Sequence, residues 1–177
     1  MKFNETKLEG VCLINITKKE DERGFFARVF DKDEFLKAGI DCTFIQQSIS
    51  FNKKKGTLRG MHYQENPYGE DKLVRVTHGS AYYVVLDLRR DSATFKEHIG
   101  ITLSQDNYSL LFVPKGMALG FITLVDNSEI FYQMSQIYVS EAVRGIRWND
   151  LAFNIKWPFK PTVISEKDVS YNDYENK

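Results

Sequence analysis

β-branched and aromatic residues gather in short tracts along this chain, divided by stretches rich in glycine, proline, asparagine and aspartate. Such a pattern predicts strands at Val11–Ile16, Thr43–Phe51, Leu73–Val76, Ala81–Leu88, His98–Leu103, Leu110–Val113, Phe121–Leu124 and Glu129–Tyr138. Turns are expected at Lys55-Gly56, His78-Gly79, Gln105-Asp106-Asn107, Pro114-Lys115-Gly116 and Asp126-Asn127. Two short helices interrupt the series. Asp31-Lys32-Asp33-Glu34 has the form of a helix N-terminus before Phe35 and Leu36, with Gly39 as its stop, and Ser165-Glu166-Lys167-Asp168 has the same form. Eight or more strands around one core predict an all-β jelly roll (the cupin-like double-stranded β-helix), which also limits exposed edges.

The length of 177 residues suits one domain over 1–177, with no internal repeat or linker and with fraying only at Asn172–Lys177. The 24 Lys and Arg balance the 24 Asp and Glu, which excludes an electrostatic nucleic-acid binder. Two cysteines, Cys12 and Cys42, supply neither a disulfide framework nor a metal-ligand spacing, so a reducing cytoplasm is expected. No apolar run approaches the roughly 18 residues of a membrane span, and the start is polar rather than signal-like, so no membrane partner is expected. Edge-capable strands rich in Tyr and Phe predict a homodimer paired across a two-fold axis.

Candidate chemistry concentrates in Gly56-Thr57-Leu58-Arg59-Gly60-Met61-His62-Tyr63-Gln64. Strict alternation puts Thr57, Arg59, Met61 and Tyr63 on one face and Leu58, His62 and Gln64 on the other. A bulge at Gly60 would bring Arg59 and His62 together, and glycines inside strands mark such bulges. Taken alone, His62 also fits an ordinary hydrogen-bonded interior histidine. A metal-binding jelly roll would carry a His-x-His pair; position 64 is Gln64, and no further ligand cluster follows, so no metal site is predicted. Glycine-rich phosphate loops are also absent.

Further segments join this one in a recognisable order. They are Asp21-Glu22-Arg23-Gly24-Phe25-Phe26, Lys72-Leu73-Val74-Arg75-Val76, Val85–Arg89 with Ser92-Ala93-Thr94-Phe95, Pro114–Phe121, Tyr132, Ile146–Asp150, Trp157-Pro158 and Ser165–Asp168. Along nearly its whole length the chain resembles the dTDP-4-keto-6-deoxyglucose 3,5-epimerase family, cofactor-independent enzymes of deoxysugar and polysaccharide biosynthesis. The resemblance implies a metal-free, usually dimeric jelly roll acting on a nucleoside-diphosphate 4-keto sugar. It implies His62 as catalytic base, Asp168 as its partner, Tyr132 as general acid on the other face of the sugar and Lys72 beside the C4 oxygen. Arg23, Arg59, Gln46 and Phe25 are implied as substrate-binding residues.

Two positions depart from the family pattern. Leu119 stands where a histidine is usual, and Ile137 falls where many members carry a base-stacking tyrosine, with Tyr138 one step further on. A one-residue step along a strand switches faces, so Tyr138 does not take that place unless the strand is bulged. These changes raise GDP as an alternative to dTDP and a heptose as an alternative to a hexose, and leave open whether C3, C5 or both invert. A 3,4-ketoisomerase and a non-catalytic sugar-nucleotide-binding jelly roll are the competing readings.

Overall fold

The computed structural model describes residues 1–175. Thirteen strands form: β1 (Lys2–Glu5), β2 (Cys12–Asn15), β3 (Lys19–Asp21), β4 (Gly24–Phe26), β5 (Gln46–Asn52), β6 (Leu58–Gln64), β7 (Lys72–His78), β8 (Ser80–Asp87), β9 (His98–Ser104), β10 (Leu110–Val113), β11 (Met117–Thr123), β12 (Ser128–Met134) and β13 (Val143–Gly145). Two short helices join them, α1 (Lys32–Lys37) and α2 (Glu166–Val169). A six-stranded sheet runs β1-β2-β10-β7-β12-β5 and a five-stranded sheet β13-β6-β11-β8-β9, both antiparallel, while β3 and β4 pair only with each other. The two sheets face one another as a jelly roll, as the strand pattern predicted.

The centre of the five-stranded sheet is covered on both faces, which explains the long buried runs in β8 and β11. Between the sheets lie Val74, Val76, Val85, Leu111, Phe121 and Ile130. Behind the six-stranded sheet, Phe35 of α1 and Cys42 pack on Ile14, Leu73 and Phe112. Behind the five-stranded sheet, Ile146, Phe153 and Trp157 pack on Met61, Val84 and Leu86. Both helices start where the sequence indicated: Asp31 accepts hydrogen bonds from the Asp33 and Glu34 amides, and Ser165 accepts one from Asp168. Both cysteines are buried and free, and no helix among the described residues is long and apolar enough to cross a membrane.

Three expectations change. The strand expected over Glu129–Tyr138 stops at Met134, because the Ser135 amide and hydroxyl turn aside to bond Asp71. Fraying from Asn172 does not describe Asp173 and Tyr174: Asp173 pairs with Arg147, and the Tyr174 amide donates to Asp150 at 2.6 Å while its ring packs on Phe153. The remainder of that stretch, 176–177, lies outside the described residues. Finally, β11 begins at Met117 rather than at Phe121, since Gly120 is not a breaker there but a contact point. A Cβ on Gly60 would lie 2.5 Å from the Gly120 Cα, so β6 and β11 approach each other backbone to backbone. Gly60 also has φ +122°, a conformation that a side chain resists.

The Asp87 carboxylate closes β8 and organises the loop after it. Fully buried, it accepts from the Arg89 amide at 2.9 Å, the Arg89 guanidinium at 3.0 and 2.8 Å, Ser92 at 2.6 Å and Thr94 at 2.7 Å. Burial pushes this carboxyl up, but the bonds from Arg89, Ser92 and Thr94 outweigh it and hold the group well below the usual carboxylate range. Its stabilising contribution is therefore complete above the ordinary value of 3.8 and is lost as pH falls below it. Replacing Asp87 with Ala should cost about 3–5 kcal/mol in urea denaturation at neutral pH, since Arg89 is left without its counter-charge. The variant's acid limb should also be flatter than that of the wild type.

Candidate active site

A cavity of about 1,020 Å³ opens between the two sheets. Its walls bring together Gln46 from β5, Arg59 and His62 from β6, Lys72 from β7, Tyr132 from β12 and Asp168 from α2. Arg59 and His62 share this wall because β6 bulges. Their partners on β11, Phe121 and Leu119, are two residues apart while they themselves are three apart, so the extra residue falls at Gly60-Met61. Met61 is thereby turned to the rear of the sheet, fully buried.

His62 and Asp168 form a close pair across 106 residues of sequence, with Nε2 2.6 Å from Oδ1. The other carboxylate oxygen accepts the Gly60 amide at 3.2 Å, so one side chain holds both the bulge and the imidazole. Burial pushes the Asp168 carboxyl up, but the bonds from His62, Gly60 and Ser165 prevail and hold it below the ordinary carboxylate value. Serving as the buried end of the Ser165 cap and as the histidine's partner are thus compatible, since the cap uses the Asp168 amide and the pair uses its carboxylate.

The opposite wall comes from alternate residues of the six-stranded sheet. Met134 is paired with Lys72 on one side and Gln46 on the other, and Tyr132 lies two residues along on the same face. Lys72 is bonded to Glu70 at 2.5 Å, both largely buried. Glu70 also accepts from Gln64 at 3.0 Å. Gln64, at the position where a metal-binding jelly roll would carry histidine, further bonds the Ile137 carbonyl at 3.0 Å and the Val139 amide at 2.7 Å. It therefore anchors both Glu70 and the segment after β12. Across the cavity, Arg59 is aimed by buried Asn52, whose Oδ1 accepts from Nε at 2.9 Å.

Sequence reasoning missed several members of this site. Glu70, Gln64 in its anchoring role, and Asn52 act through partners far along the chain, which spacing alone does not reveal. Lys167 also lines the cavity, and its place beside Asp168 in the Ser-Glu-Lys-Asp segment was the available signal. Tyr171 packs edge-on to His62 with ring centroids 6.1 Å apart. Because β12 ends at Met134, the strand face rule does not govern Tyr138, which lines the cavity with its amide bonded to Gln46 at 2.9 Å. Leu119 is opposite His62 and contributes an apolar wall.

Arg23 and Phe25 do not join the cavity of their own chain. They sit on the β3–β4 hairpin, where Arg23 bonds Asp21 at 2.6 Å and Phe25 packs edge-on to Tyr108 at 4.9 Å. Within one chain the cations that line the cavity are Arg59, Lys72 and Lys167.

Gly145 offers a direct check on the surroundings of His62. A Cβ there would lie 2.1 Å from the Tyr171 ring. Gly145→Ala should therefore lower stability by about 1–3 kcal/mol through overpacking, measured by urea denaturation. It should also shift the His62 imidazole resonances in NMR by displacing the adjacent ring.

The family model described as dTDP-4-dehydrorhamnose 3,5-epimerase matches residues 5–176. The chain is 37% identical to the dTDP-4-dehydrorhamnose 3,5-epimerase of Shigella flexneri over 171 residues, covering 96% of this chain and 94% of that one. The crystal structure of the Bacillus anthracis str. Ames enzyme of the same name, with TDP and PPi bound, superposes with a TM-score of 0.94 at 37% identity, covering 98% and 99% of the two chains. The dTDP-6-deoxy-D-glucose-3,5-epimerase of Legionella pneumophila Philadelphia 1, in complex with dTDP-4-keto-L-rhamnose, does so with a TM-score of 0.90 at 32% identity, covering 96% and 90%. With its fold, its cavity and these likenesses in agreement, the chain belongs to the dTDP-4-dehydrorhamnose 3,5-epimerase family of isomerases.

Proposed function

We propose that this protein is a cytoplasmic epimerase, one catalytic unit over 1–177, that inverts C3 and C5 of a dTDP-linked 4-keto-6-deoxyhexose without a cofactor. The observation that carries the reading is the His62–Asp168 pair in one cavity with Lys72 and Tyr132. Removing a proton from carbon beside a ketone is hard for imidazole, by on the order of a dozen pKa units or about 16 kcal/mol. Lys72 meets this difficulty by stabilising negative charge on O4 as the enolate forms. Its pairing with Glu70 fixes the ammonium for that task. His62 takes the proton, Asp168 orients the ring and offsets the imidazolium charge, and Tyr132 returns a proton to the other face. Arg59 and Lys167 supply positive charge for the diphosphate.

Tyr138 in the cavity wall supplies an aromatic face on which a nucleobase can stack, and the similar structures that hold TDP or dTDP-4-keto-L-rhamnose support dTDP over GDP. In deuterated water, NMR of the dTDP-4-keto-6-deoxyglucose reaction should show deuterium entering at C3 and C5. His62→Asn should abolish that exchange while leaving the protein folded. Exchange at C3 alone would mean a 3-epimerase, a 3-keto product a ketoisomerase, and no exchange with any nucleotide a binding module. A larger thermal shift with GDP than with dTDP would overturn the choice of base.

The oligomer we infer is a homodimer formed on the β5 edge. Ile49 and Phe51 are 62% and 50% exposed on the outer face of this edge strand. On the same face, two strands inward, the Arg75 Nε is buried without a hydrogen-bond partner. A second copy covering this face would bury the apolar side chains and supply that partner. The β3–β4 hairpin, paired only with itself, then carries Arg23 and Phe25 to the neighbouring copy's cavity. Light scattering should give twice the chain mass of 20.6 kDa, and Ile49→Asp should reduce it to one. Mixing inactive Arg23→Ala with inactive His62→Asn protein should restore part of the activity if the hairpin crosses.

A further inference from the structure

Three buried side-chain atoms among the described residues lack any hydrogen-bond partner, and only one belongs to the cavity wall: the Tyr83 hydroxyl. Tyr83 stands on β8, 1% exposed, its ring tilted 41° against Phe121 at 5.4 Å. Its surroundings are apolar, including Leu119, Phe121 and Ile130 of the same core cluster. A buried hydroxyl without a partner is costly, and phenylalanine would fill the same space without that cost. The packing thus gives no reason for the oxygen.

Tyr132 supplies one. It projects from the facing sheet into the same cluster and the same cavity, and its hydroxyl has no hydrogen-bond partner among the described residues. β8 and β12 approach each other across the core, and both rings pack in the cluster between them. Burial pushes the Tyr83 phenol far up, and negative charge on Tyr132 pushes it further, so Tyr83 keeps its proton.

We propose that the Tyr83 hydroxyl donates a hydrogen bond to the Tyr132 oxygen as Tyr132 gives its proton to the substrate carbon, making Tyr83 a positioning residue for the protonation half of the reaction. The inference rests on Tyr132 being the general acid. The step balances: the Tyr132 O–H bond breaks, a C–H bond forms on the enolate carbon and the C4 carbonyl is restored. Tyr132 is left as a phenolate that Tyr83 stabilises, and His62 holds the proton taken from the other face. Exchange with water then resets both groups. The Tyr83 oxygen is itself buried, which leaves its proton for Tyr132.

Tyr83→Phe tests this, since it removes one oxygen from an otherwise filled site. The melting temperature should stay the same or rise. KM should hold within about twofold while kcat falls about tenfold or more, the worth of a hydrogen bond to a charged group. The alkaline limb of the kcat–pH profile should move to higher pH, because an unsupported Tyr132 phenolate forms less readily. Deuterium wash-in driven by His62 should continue while inversion slows, raising the ratio of exchange to inversion. Wild-type kcat with an unmoved alkaline limb would overturn the proposal. So would a loss shared equally by exchange and inversion with the limb unmoved, which marks a purely structural role. Tyr132→Phe separates the levels. If it keeps full turnover, the acid assignment fails and this inference with it; if it is inactive while Tyr83→Phe behaves as wild type, only this inference fails.

Discussion

One buried carboxylate holds the site together. Asp168 accepts the Gly60 amide with one oxygen and meets His62 with the other, so the backbone detour that exposes the histidine and the contact that orients it share a single anchor. Without the detour, alternation would send Arg59 and His62 to opposite faces of β6. Without the carboxylate, the detour would leave a buried amide unpaired and the imidazole free to rotate. The close approach of Gly60 to Gly120 allows the strand to make this step at all, because neither position has room for a side chain.

Around that anchor the two sheets have different duties. The five-stranded sheet contributes His62 and Arg59, and the six-stranded sheet presents Lys72, Tyr132 and Gln46 at matched register. Because each sheet is packed on part of its rear face as well, by α1 and Cys42 on one side and by Phe153 and Trp157 on the other, the gap between them can hold a cavity without losing the core. Polar residues of the cavity are then fixed by neighbours from outside the strands: Glu70 for Lys72, Gln64 for Glu70 and Asn52 for Arg59.

How much of this was legible in the sequence follows from the range of each interaction. Most strand tracts, both helix starts and the Gly60 bulge are local signals and agree with the structure, while the short strands β1, β3, β4 and β13 were not foreseen. His62, Asp168, Tyr132, Lys72, Arg59 and Gln46 were legible through the ordered motifs, and one cavity does gather them. Tyr138 was misjudged because its orientation depended on where β12 ended, and that was decided by a Ser135–Asp71 contact 64 residues apart. Glu70 and Asn52 were not legible because nothing about a lone glutamate or asparagine says which distant cation it will hold. Arg23 and Phe25 have motif support but lie on a hairpin away from their own chain's cavity. Asp87, quoted in a motif beside catalytic candidates, turned out to serve a loop.

The position of Asp168 along the chain has a temporal consequence. It belongs to α2, beyond the final strand of either sheet, whereas His62 lies in the first half of the sequence. Synthesis proceeds from the N-terminus, and folding can follow it as segments emerge. Every strand is therefore translated before the histidine acquires its partner. A growing chain gains its framework first, and the His62–Asp168 pair forms only when the closing helix docks, after the strands of both sheets have been made.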